Sequence, residues 1–261
     1  MKYVVYTSLT GGYDNLNQPL AVDPEFDYIC FSNDIPAGRT GMWDVRPIPF
    51  SHKDKLVESR YAKLLPHVVI PEYECSVWID ANIVITGEQF YQYVRRHIRD
   101  EHSLIAQVNH IHEGRDCIYD EIESCVRYGK LGLIDALTQY SHLRRDHYPR
   151  HNGLYENNLV FRRHNDPFVK DISEQWWSEF MRYARRDQLS LNYIYWKKGY
   201  VPGLLLPENE CARNVDYLQY ILHLSQPDPS SFREWMHRKL IRPAATGFYR
   251  FVTQLSPVSE K

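Results

Sequence analysis

Short apolar runs rich in β-branched residues alternate along this chain with longer stretches of helical spacing. The predicted strands are Lys2–Leu9, Asp27–Ser32, Trp43–Ile48, Cys75–Ile79, Leu104–Val108 and Leu159–Arg162. The predicted helices are His52–Leu65, Glu88–Arg99, Ile118–Tyr128, Leu133–Leu143, Phe168–Tyr183 and Gln188–Trp196. This alternation predicts an α/β fold with a mainly parallel central sheet and helices on both faces. Because ligands of such sheets bind beyond the carboxyl ends of the strands, polar residues that directly follow strands are the first candidates for a site.

The composition excludes several classes of protein. The chain has 261 residues, 43% hydrophobic and 25% charged, which suffices for one substantial core. A formal net charge of -2 gives no overall positive field, so we expect no nucleic-acid partner. The scattered cysteines predict neither a disulfide framework nor a zinc knuckle and favour a reducing compartment. With no signal-peptide pattern and no long apolar run, we predict a cytoplasmic protein.

A strand that ends in a carboxylate is the sharpest single motif. The apolar run 77–79 is followed by Asp80-Ala81-Asn82, so a carboxylate and an amide oxygen meet where the strand ends. Such oxygen ligands suit Mn²⁺ or Mg²⁺, which keeps further positions for diphosphate oxygens. The alternative is a turn in which Asp80 and Asn82 only cap the residues from Ile83 onward. The segment alone does not decide between the two.

The loop after the first predicted strand favours close approach of a ligand. Thr7 lies near the end of the strand, and Gly11, Gly12 and Tyr13 follow. Glycines let a ligand approach the backbone, and an aromatic ring can stack on a base. The loop lacks the Walker lysine and the Gly-x-Gly-x-x-Gly patterns, so P-loop and dinucleotide sites are disfavoured. An ordinary Gly-Gly turn is the alternative.

Two cations, Arg60 and Lys63, lie three residues apart in a predicted helix. This spacing places both on one helical face, where they would neutralise a diphosphate. A solvated helix surface is the alternative interpretation of the same pair.

The segment from residue 110 to 121 is dense in titratable groups and follows another predicted strand. His110 and His112 would point the same way from an extended backbone, which suggests zinc, but no clear third ligand accompanies them. We therefore predict that the segment binds the sugar acceptor, through His110, Arg115, Tyr119 and Glu121.

Carboxylates and amides recur at two further loop ends. Glu156 lies just before a predicted buried strand, and Asp187 and Gln188 open a predicted helix. Such groups accept hydrogen bonds from sugar hydroxyls and place negative charge opposite an oxocarbenium ion. The alternative for Asp187 is an ordinary helix cap.

The composition changes after about Leu224. Residues 225–231 are typical of a break, and residues 232–255 interleave basic residues with aromatic and aliphatic ones. We divide the chain into an α/β domain that carries the candidate site, residues 1–224, and a basic amphipathic tail, residues 225–261. The tail is either a peripheral membrane contact or a helix packed on the domain, and Pro243 interrupts its pattern.

Taken together, the motifs resemble a glycosyltransferase-like family of bacteria and plants, the TOD1/MUCI70 type, long classed as a domain of unknown function. The matching segments cover roughly residues 3 to 200 in order. They are Tyr6-Thr7, Gly11-Gly12-Tyr13-Asp14, Arg60-Tyr61-Ala62-Lys63, Pro66-His67, Trp78-Ile79-Asp80-Ala81-Asn82, Arg115-Asp116-Cys117-Ile118-Tyr119-Asp120-Glu121, Tyr155-Glu156-Asn157, Arg163-His164-Asn165, Trp176-Trp177 and Arg186-Asp187-Gln188.

That family is similar to the GT-A glycosyltransferases of the glycogenin and lipopolysaccharide-galactosyltransferase type. The resemblance implies a GT-A-like, Rossmann-like fold in which an Asp-x-Asp motif holds manganese and the donor diphosphate. In this chain the second position is Asn82, which removes one negative charge from the expected metal site. Asp187-Gln188 resembles the pair that lies beside the donor sugar, which implies transfer with retention of configuration.

The resulting hypothesis is a metal-assisted hexosyltransferase of surface polysaccharide synthesis. Its donor is a nucleotide-diphosphate sugar, and its acceptor is a glycan or lipid-linked glycan. Asp80 and Asn82 hold the metal, residues Thr7 to Tyr13 hold the nucleoside, and Arg60 and Lys63 steady the phosphates. One alternative is a nucleotide-sugar- or carbohydrate-binding protein without turnover, which Asn82 supports. Another is a metal hydrolase built on His110, His112 and Glu113.

Overall fold

A computed structural model describes residues 3–111, 114–223, 231–255 and 258. The chain divides into two compact units. Unit 1 comprises Met1–Asn109, Glu156–Trp177 and Pro202–Ser225, and unit 2 comprises His110–Tyr155, Ser178–Val201 and Gln226–Lys261. The predicted boundary between residues 224 and 225 lies outside the described residues, so the division into domain and tail stays a prediction.

Most strands of unit 1 belong to one central sheet. Along the chain they are β1 Tyr3–Ser8, β2 Phe26–Phe31, β3 Gly38–Thr40, β4 Trp43–Arg46, β5 Cys75–Ile79, β6 Ile83–Ile85, β7 Ile105–Asn109, β8 Tyr155–Arg162, β9 Gly203–Leu204 and β10 Leu218–Tyr220. Eight strands of the described residues pair in the order β3-β4-β2-β1-β5-β8-β7-β9. The β1/β2, β1/β5, β2/β4 and β7/β9 pairs are parallel, whereas β3/β4 and β5/β8 are antiparallel. Strands β6 and β10 form a separate antiparallel pair.

The register of the central strands decides which side chains share the edge that carries the site. Strands β1 and β5 run in parallel from the Tyr3–Cys75 pair to the Tyr6–Trp78 pair, so their carboxyl ends lie at one edge. Strand β8 is antiparallel to β5 and pairs Leu159 with Ile79. Its earlier residues therefore reach the same edge. Every residue of strand β5 is buried. Its largely apolar sequence is typical of a strand that is covered on both faces of the sheet.

The six predicted helices begin and end within three residues of their predicted bounds, and the described residues form three more. They are α1 Lys55–Leu64, α2 Pro66–Val69, α3 Gln89–Arg99, α4 Ile118–Arg127, α5 Leu133–Arg145, α6 Pro167–Arg182, α7 Leu191–Lys198, α8 Phe232–Met236 and α9 Arg242–Leu255. The Asp54 side chain caps α1 by accepting from the backbone N–H of Leu56. Gly199, in the left-handed conformation, ends α7.

The structure confirms an α/β fold with a mixed, mostly parallel sheet. Differences are local. The last predicted strand begins earlier, at Tyr155, and the helix predicted from Gln188 is interrupted, since a 3-10 turn at Asp187–Leu189 precedes α7. Pro243 does not break the C-terminal helix, because a wider π-helical turn at His237–Ile241 directly precedes α9. Among the described residues, no helix is both long and apolar enough to cross a membrane.

Candidate functional site

The Asp80 turn lies at the edge where β1 and β5 end. The backbone N–H of Asp80 donates to the Asn158 carbonyl of β8, and the N–H of Ile83 donates back to the Asp80 carbonyl. These two bonds join β5 to its antiparallel neighbour and close the Asp-Ala-Asn segment as a tight turn before β6. The Asp80 carboxylate is thus held at a strand end, and its side chain remains 30% exposed.

A buried cation already pairs with this carboxylate. Lys63 of α1 places Nζ 3.1 Å from Asp80 Oδ1, and the Trp78 indole N–H donates to the same oxygen at 2.7 Å. The Lys63 side chain is only 1% exposed, and Nζ lies 5.2 Å from the centre of the Trp78 ring. Burying an ammonium is costly unless an anion compensates it, so Asp80 and Lys63 depend on each other. Among the described residues, none donates to Asp80 Oδ2.

Arg162 supports the turn of α1 that carries Lys63. This buried guanidinium donates to the Lys63 carbonyl at 2.6 Å and to the Tyr6 hydroxyl. It also lies over the Trp176 ring, with Cζ 5.9 Å from the ring centre. Burial raises the pKa of Tyr6 to about 12, so its hydroxyl stays protonated and hydrogen-bonded. Arg60, the other predicted cation of α1, is half-buried and donates to the Ser59 hydroxyl at 3.3 Å.

Asn82 is fixed by the segment that follows β10. Its Nδ2 donates to the Ile221 carbonyl at 2.9 Å, and the Ile221 N–H donates to the Asn82 carbonyl at 2.8 Å. Because only the NH₂ group donates, the amide must keep Nδ2 toward Ile221 and its oxygen on the other side. An aspartate at this position would set a carboxylate oxygen against a carbonyl oxygen. The departure from Asp-x-Asp therefore has a local structural reason.

The glycine loop after β1 is anchored at both ends. Gly11 and Gly12 have φ values of 70° and 61°, which an L side chain rarely adopts, so both positions favour glycine. The Gly11 N–H donates to the Asp34 carboxylate, and the Thr10 hydroxyl donates to the Lys55 carbonyl at 2.9 Å. The loop therefore has a defined conformation beside the start of α1. Thr7 Oγ1, buried at the end of β1, has no hydrogen-bond partner among the described residues.

The end of this loop meets the segment after β10. His223 Nδ1 lies 2.9 Å from the Asp14 carboxylate, and the His223 ring centre lies 4.7 Å from that of Tyr13. About half of the Tyr13 side chain is exposed. The ring is thus oriented by a neighbour and still offers a surface for stacking.

Glu156 is a buried carboxylate with a resident partner. Arg213 Nη1 donates to both carboxylate oxygens at 2.9 Å, and Asn158 Nδ2 donates to Oε2 at 2.5 Å. The Arg213 guanidinium lies over the Tyr220 ring, with Cζ 4.5 Å from the ring centre. Both Arg213 and Tyr220 line a cleft of unit 1, together with Leu218. Arg213 therefore compensates the negative charge of Glu156 when no ligand is bound.

Unit 2 gathers a second set of predicted residues. Arg115 Nε lies 2.9 Å from Glu121 Oε2, and both side chains are largely buried. Cys125 Sγ donates to the other Glu121 oxygen at 3.5 Å, and burial raises the pKa of Cys125 to about 11. Burial opposes the charge of Arg186, but the nearby Cys125, Asp187 and Glu121 outweigh it and raise the pKa of the guanidinium. The structure thus brings Arg115, Glu121 and Asp187 into one buried charged cluster.

Gln139 fixes the loop that carries Asp187 and Gln188. This wholly buried amide donates from Nε2 to the Leu189 carbonyl at 3.0 Å and accepts from the Ala184 N–H at 3.2 Å. One side chain therefore spans residues 184 to 189. Asp187 is buried, and Gln188 is half-buried with no hydrogen-bond partner for Nε2 among the described residues.

The remaining predicted acceptor residues lie deeper than a surface loop would place them. His110 is buried, and its backbone N–H donates to the Leu154 carbonyl. Tyr119 is buried among tyrosines, donates to the Tyr148 carbonyl at 2.8 Å, and has a pKa raised mainly by burial. His112 and Glu113 lie outside the described residues.

Three residues of unit 2 form a group that could hold a metal ion. Asp116, Asp120 and His151 offer ligand atoms within 4.8 Å of one another. His151 Nδ1 lies 2.7 Å from Asp116, and Arg150 donates to Asp120 at 3.2 Å. Asp116 and His151 are exposed, whereas Lys63 and Asn82 beside the partly exposed Asp80 are buried.

The comparisons with known proteins identify the family. A model of the TOD1/MUCI70 glycosyltransferase-like domain matches residues 32–202. The chain belongs to this family. The match includes Arg60, Lys63, Asp80, Asn82 and the predicted residues of unit 2, whereas the glycine loop and residues 203–223 lie outside it. No curated protein matches the chain.

Solved glycosyltransferase structures are similar to the chain at low identity. The WbbM bifunctional glycosyltransferase in its apo form has 11% identity and a TM-score of 0.45, with 97% of this chain and 51% of that chain covered. Mouse xyloside xylosyltransferase 1, apo form, has 7% identity, a TM-score of 0.42, and coverage of 78% and 84%. GlyE of Streptococcus pneumoniae TIGR4, apo form, has 9% identity, a TM-score of 0.44, and coverage of 100% and 65%. The chain spans about half the length of WbbM.

Several residues at these sites were not predicted from the sequence. Arg213 and His223 follow a stretch with no strong periodicity, and Arg162 and Gln139 belong to elements whose sequences indicate only core packing. The residues predicted to bind the donor or the metal all lie in unit 1, and those predicted to bind the acceptor all lie in unit 2. The first set is Thr7, Gly11, Gly12, Tyr13, Arg60, Lys63, Asp80 and Asn82, and the second is His110, Arg115, Tyr119 and Glu121.

Proposed function

We propose that this chain is a glycosyltransferase that moves a hexosyl or similar unit from a nucleoside-diphosphate sugar to a glycan or lipid-linked glycan. Membership of a glycosyltransferase-like family supports this class of reaction. The observation that carries the proposal is the Asp80 carboxylate, which lies partly exposed at the carboxyl ends of two parallel strands. This is the edge where α/β sheets bind ligands.

A divalent ion fits the residues of this turn. Asp80 offers Oδ2, and Asn82 offers its amide oxygen because Nδ2 is committed to Ile221. Two hard oxygen ligands leave room for diphosphate oxygens, which suits Mn²⁺ or Mg²⁺. When bound, such an ion supplies positive charge to the departing diphosphate. Lys63 pairs with the same carboxylate, and we assign Arg60 of the same helix to the phosphates.

The glycine loop is our candidate for the nucleoside. Its conformation is fixed by left-handed glycines and by hydrogen bonds to Asp34 and Lys55. The loop therefore loses little further conformational entropy when a ligand binds. The half-exposed Tyr13 ring, supported by His223, offers a face to a base. The buried Thr7 hydroxyl adds a polar group at the strand end.

We assign residues to the sugars by their chemistry and by the resemblance to GT-A glycosyltransferases. In unit 1 we assign Glu156 to sugar hydroxyls, with Arg213 neutralising its charge until a ligand enters. In unit 2 we assign Asp187 and Gln188 to the donor-sugar pair of the GT-A likeness, which implies retention of configuration, and Arg115 and Glu121 to the acceptor. A role in surface polysaccharide synthesis follows the same resemblance.

A turnover assay tests this proposal. The full chain is incubated with a panel of nucleotide sugars, with Mn²⁺, with Mg²⁺ and with chelator, and release of nucleoside diphosphate is measured. We expect metal-stimulated release from one nucleotide-sugar class, and loss of that release in Asp80→Asn. Release that persists undiminished in Asp80→Asn would contradict the proposed site.

A second candidate is a nucleotide-sugar-binding protein without turnover. The Lys63–Asp80 pair favours it, because a carboxylate already compensated by a buried cation attracts a metal ion less strongly. This function predicts saturable binding of a nucleotide sugar with no release of diphosphate in the presence of any tested acceptor. Calorimetry together with the turnover assay separates the two functions.

A further inference from the structure

The inner face of the C-terminal helix belongs to the core of unit 2. Helix α9 packs against α4 and α5, and it buries Thr246 and Tyr249. The Tyr140 hydroxyl donates to the Thr253 carbonyl at 3.3 Å, and Arg250 pairs with Glu123 at 2.5 Å. These contacts within unit 2 therefore hold the helix in place.

The outer face of the same helix is apolar and exposed. Ile241, Ala244, Phe248, Phe251 and Leu255 are all exposed and recur at intervals of three and four residues, which places them on one side of a helix. Phe248 and Phe251 are 52% and 58% exposed. Single exposed apolar residues are ordinary, but a continuous aromatic and aliphatic stripe marks a surface that binds something.

The turns before α9 also expose apolar side chains. Phe232, Trp235 and Leu240 are exposed, and the Phe232 and Trp235 rings stack with centres 5.8 Å apart. We call the exposed residues of these turns and of the α9 stripe the outer face. Its members are Phe232, Trp235, Leu240, Ile241, Ala244, Phe248, Phe251 and Leu255.

The exposed charges in the turns just before α9 have one predominant sign. Arg238 and Lys239 are exposed, and no described residue forms an ion pair with either of them. The acid of this segment, Glu234, is already paired with Arg242 at 2.6 Å. A second copy of the chain would bring like charges together across this face, whereas an anionic surface would compensate them.

We propose that the outer face docks on an anionic lipid bilayer. Trp235, Phe248 and Phe251 enter the headgroup region, and Arg238 and Lys239 lie against lipid phosphates. Helices with an aromatic and aliphatic face beside basic residues bind membranes in this way, and tryptophan favours the interface. Because the inner face is packed, the helix needs no folding step to bind, so it presents a preformed surface.

Vesicle co-sedimentation of the full chain tests the proposal. The vesicles are phosphatidylcholine alone or phosphatidylcholine with phosphatidylglycerol. The test variants are Phe248→Ser with Phe251→Ser, and Arg238→Gln with Lys239→Gln. The matched control is Ile134→Ser, because Ile134 is 80% exposed on α5 and lies off the outer face. Thermal unfolding of each variant shows that the fold is kept.

The proposal predicts binding to the anionic vesicles that exceeds binding to neutral ones. Each double variant should bind roughly tenfold more weakly, with an unchanged melting temperature, and the control should bind like the wild type. Equal binding by the phenylalanine variant and the wild type would overturn the proposal. So would concentration-dependent dimers in the absence of lipid that the phenylalanine variant abolishes, because the occupant would then be a second copy.

Discussion

Two groups of candidate metal ligands contrast in this chain. In unit 1, Asp80 and Asn82 lie in a turn at the end of a buried strand, tied into the backbone and compensated by Lys63. In unit 2, Asp116, Asp120 and His151 lie close together on the surface. Exposed acidic groups approach one another at little cost, since water screens them. A carboxylate held in a buried setting is more costly, and such settings are characteristic of functional sites.

The largest expected difference between the two groups is in turnover. Asp80→Asn should lower sugar transfer by roughly three powers of ten, because a ligand for the ion on the diphosphate is lost. Asp116→Asn is the matched control, with the same change of charge. Initial rates for both variants at saturating donor measure the difference. A loss in Asp116→Asn that equals the loss in Asp80→Asn would break the comparison.

Acid should weaken the scaffold of unit 1 next most strongly. His164 Nε2 donates to the Ile70 carbonyl at 3.0 Å, and its Nδ1 lies 2.9 Å from the Ser76 hydroxyl in a buried site. Burial and the nearby Arg162 lower its pKa to about 4. The unfolded chain binds a proton near pH 6.5, so stability falls as the pH drops from about 6.5 to 4, by up to ~3 kcal/mol.

Urea unfolding at several pH values measures this loss. In His164→Gln the dependence on pH over that range should flatten, since the titrating ring is gone. A variant that retains the full acid sensitivity of the wild type would assign the loss to other groups.

The Lys63–Asp80 pair should respond asymmetrically to substitution. Asp80→Asn leaves a buried ammonium without its counterion and should cost about 2 kcal/mol of unfolding free energy, a figure reduced for the partial exposure of Asp80. Lys63→Met should cost less, because the remaining carboxylate reaches water and keeps its bond to Trp78. The double variant should recover most of the stability lost in Asp80→Asn. Additive costs in the double-mutant cycle would show that the two side chains are independent.

Asn82→Asp distinguishes a structural amide from a weakened metal ligand. We expect a cost of about 1.5 kcal/mol in the absence of metal, because the bond to the Ile221 carbonyl is lost and two oxygens oppose each other. Mn²⁺ should offset part of this cost by binding the new carboxylate. Thermal unfolding with and without Mn²⁺ measures both effects. A variant more stable than the wild type without metal would contradict the geometry.

The surface group should give the smallest effect. Asp116→Asn should change the unfolding free energy by less than ~0.5 kcal/mol, as for other exposed ion pairs. Its melting temperature should also respond to Mn²⁺ as that of the wild type does. If the response to metal disappeared in this variant, the ion would belong to unit 2.

The elements that carry the candidate site could be predicted where a local sequence motif defines them. Strand β5 and its terminal Asp80 follow from an apolar run ended by an acid, and the left-handed pair Gly11-Gly12 follows from the glycine motif. The partners were not predictable. Asn82 contacts a residue 139 positions away, and Glu156 meets Arg213 at a separation of 57. No local pattern encodes such pairings, because they depend on the order of strands in the sheet.

Short elements and buried polar groups were missed for a related reason. Strands β9 and β10, of two and three residues, are too short to show alternation, yet β10 leads to the segment that holds Asn82. Gln139 has the sequence appearance of a polar helix position, whereas the fold buries it and uses both ends of its amide. Packing decides the role of such a residue.

Calorimetric titration of a nucleoside diphosphate with Mn²⁺ is the most direct test of the central claim, that the Asp80 edge of unit 1 binds the donor diphosphate. The wild type, Asp80→Asn and Asp116→Asn are titrated under identical conditions. The claim predicts binding to the wild type and to Asp116→Asn that depends on Mn²⁺, and no measurable binding to folded Asp80→Asn. Undiminished binding to Asp80→Asn, or binding lost only in Asp116→Asn, would contradict it.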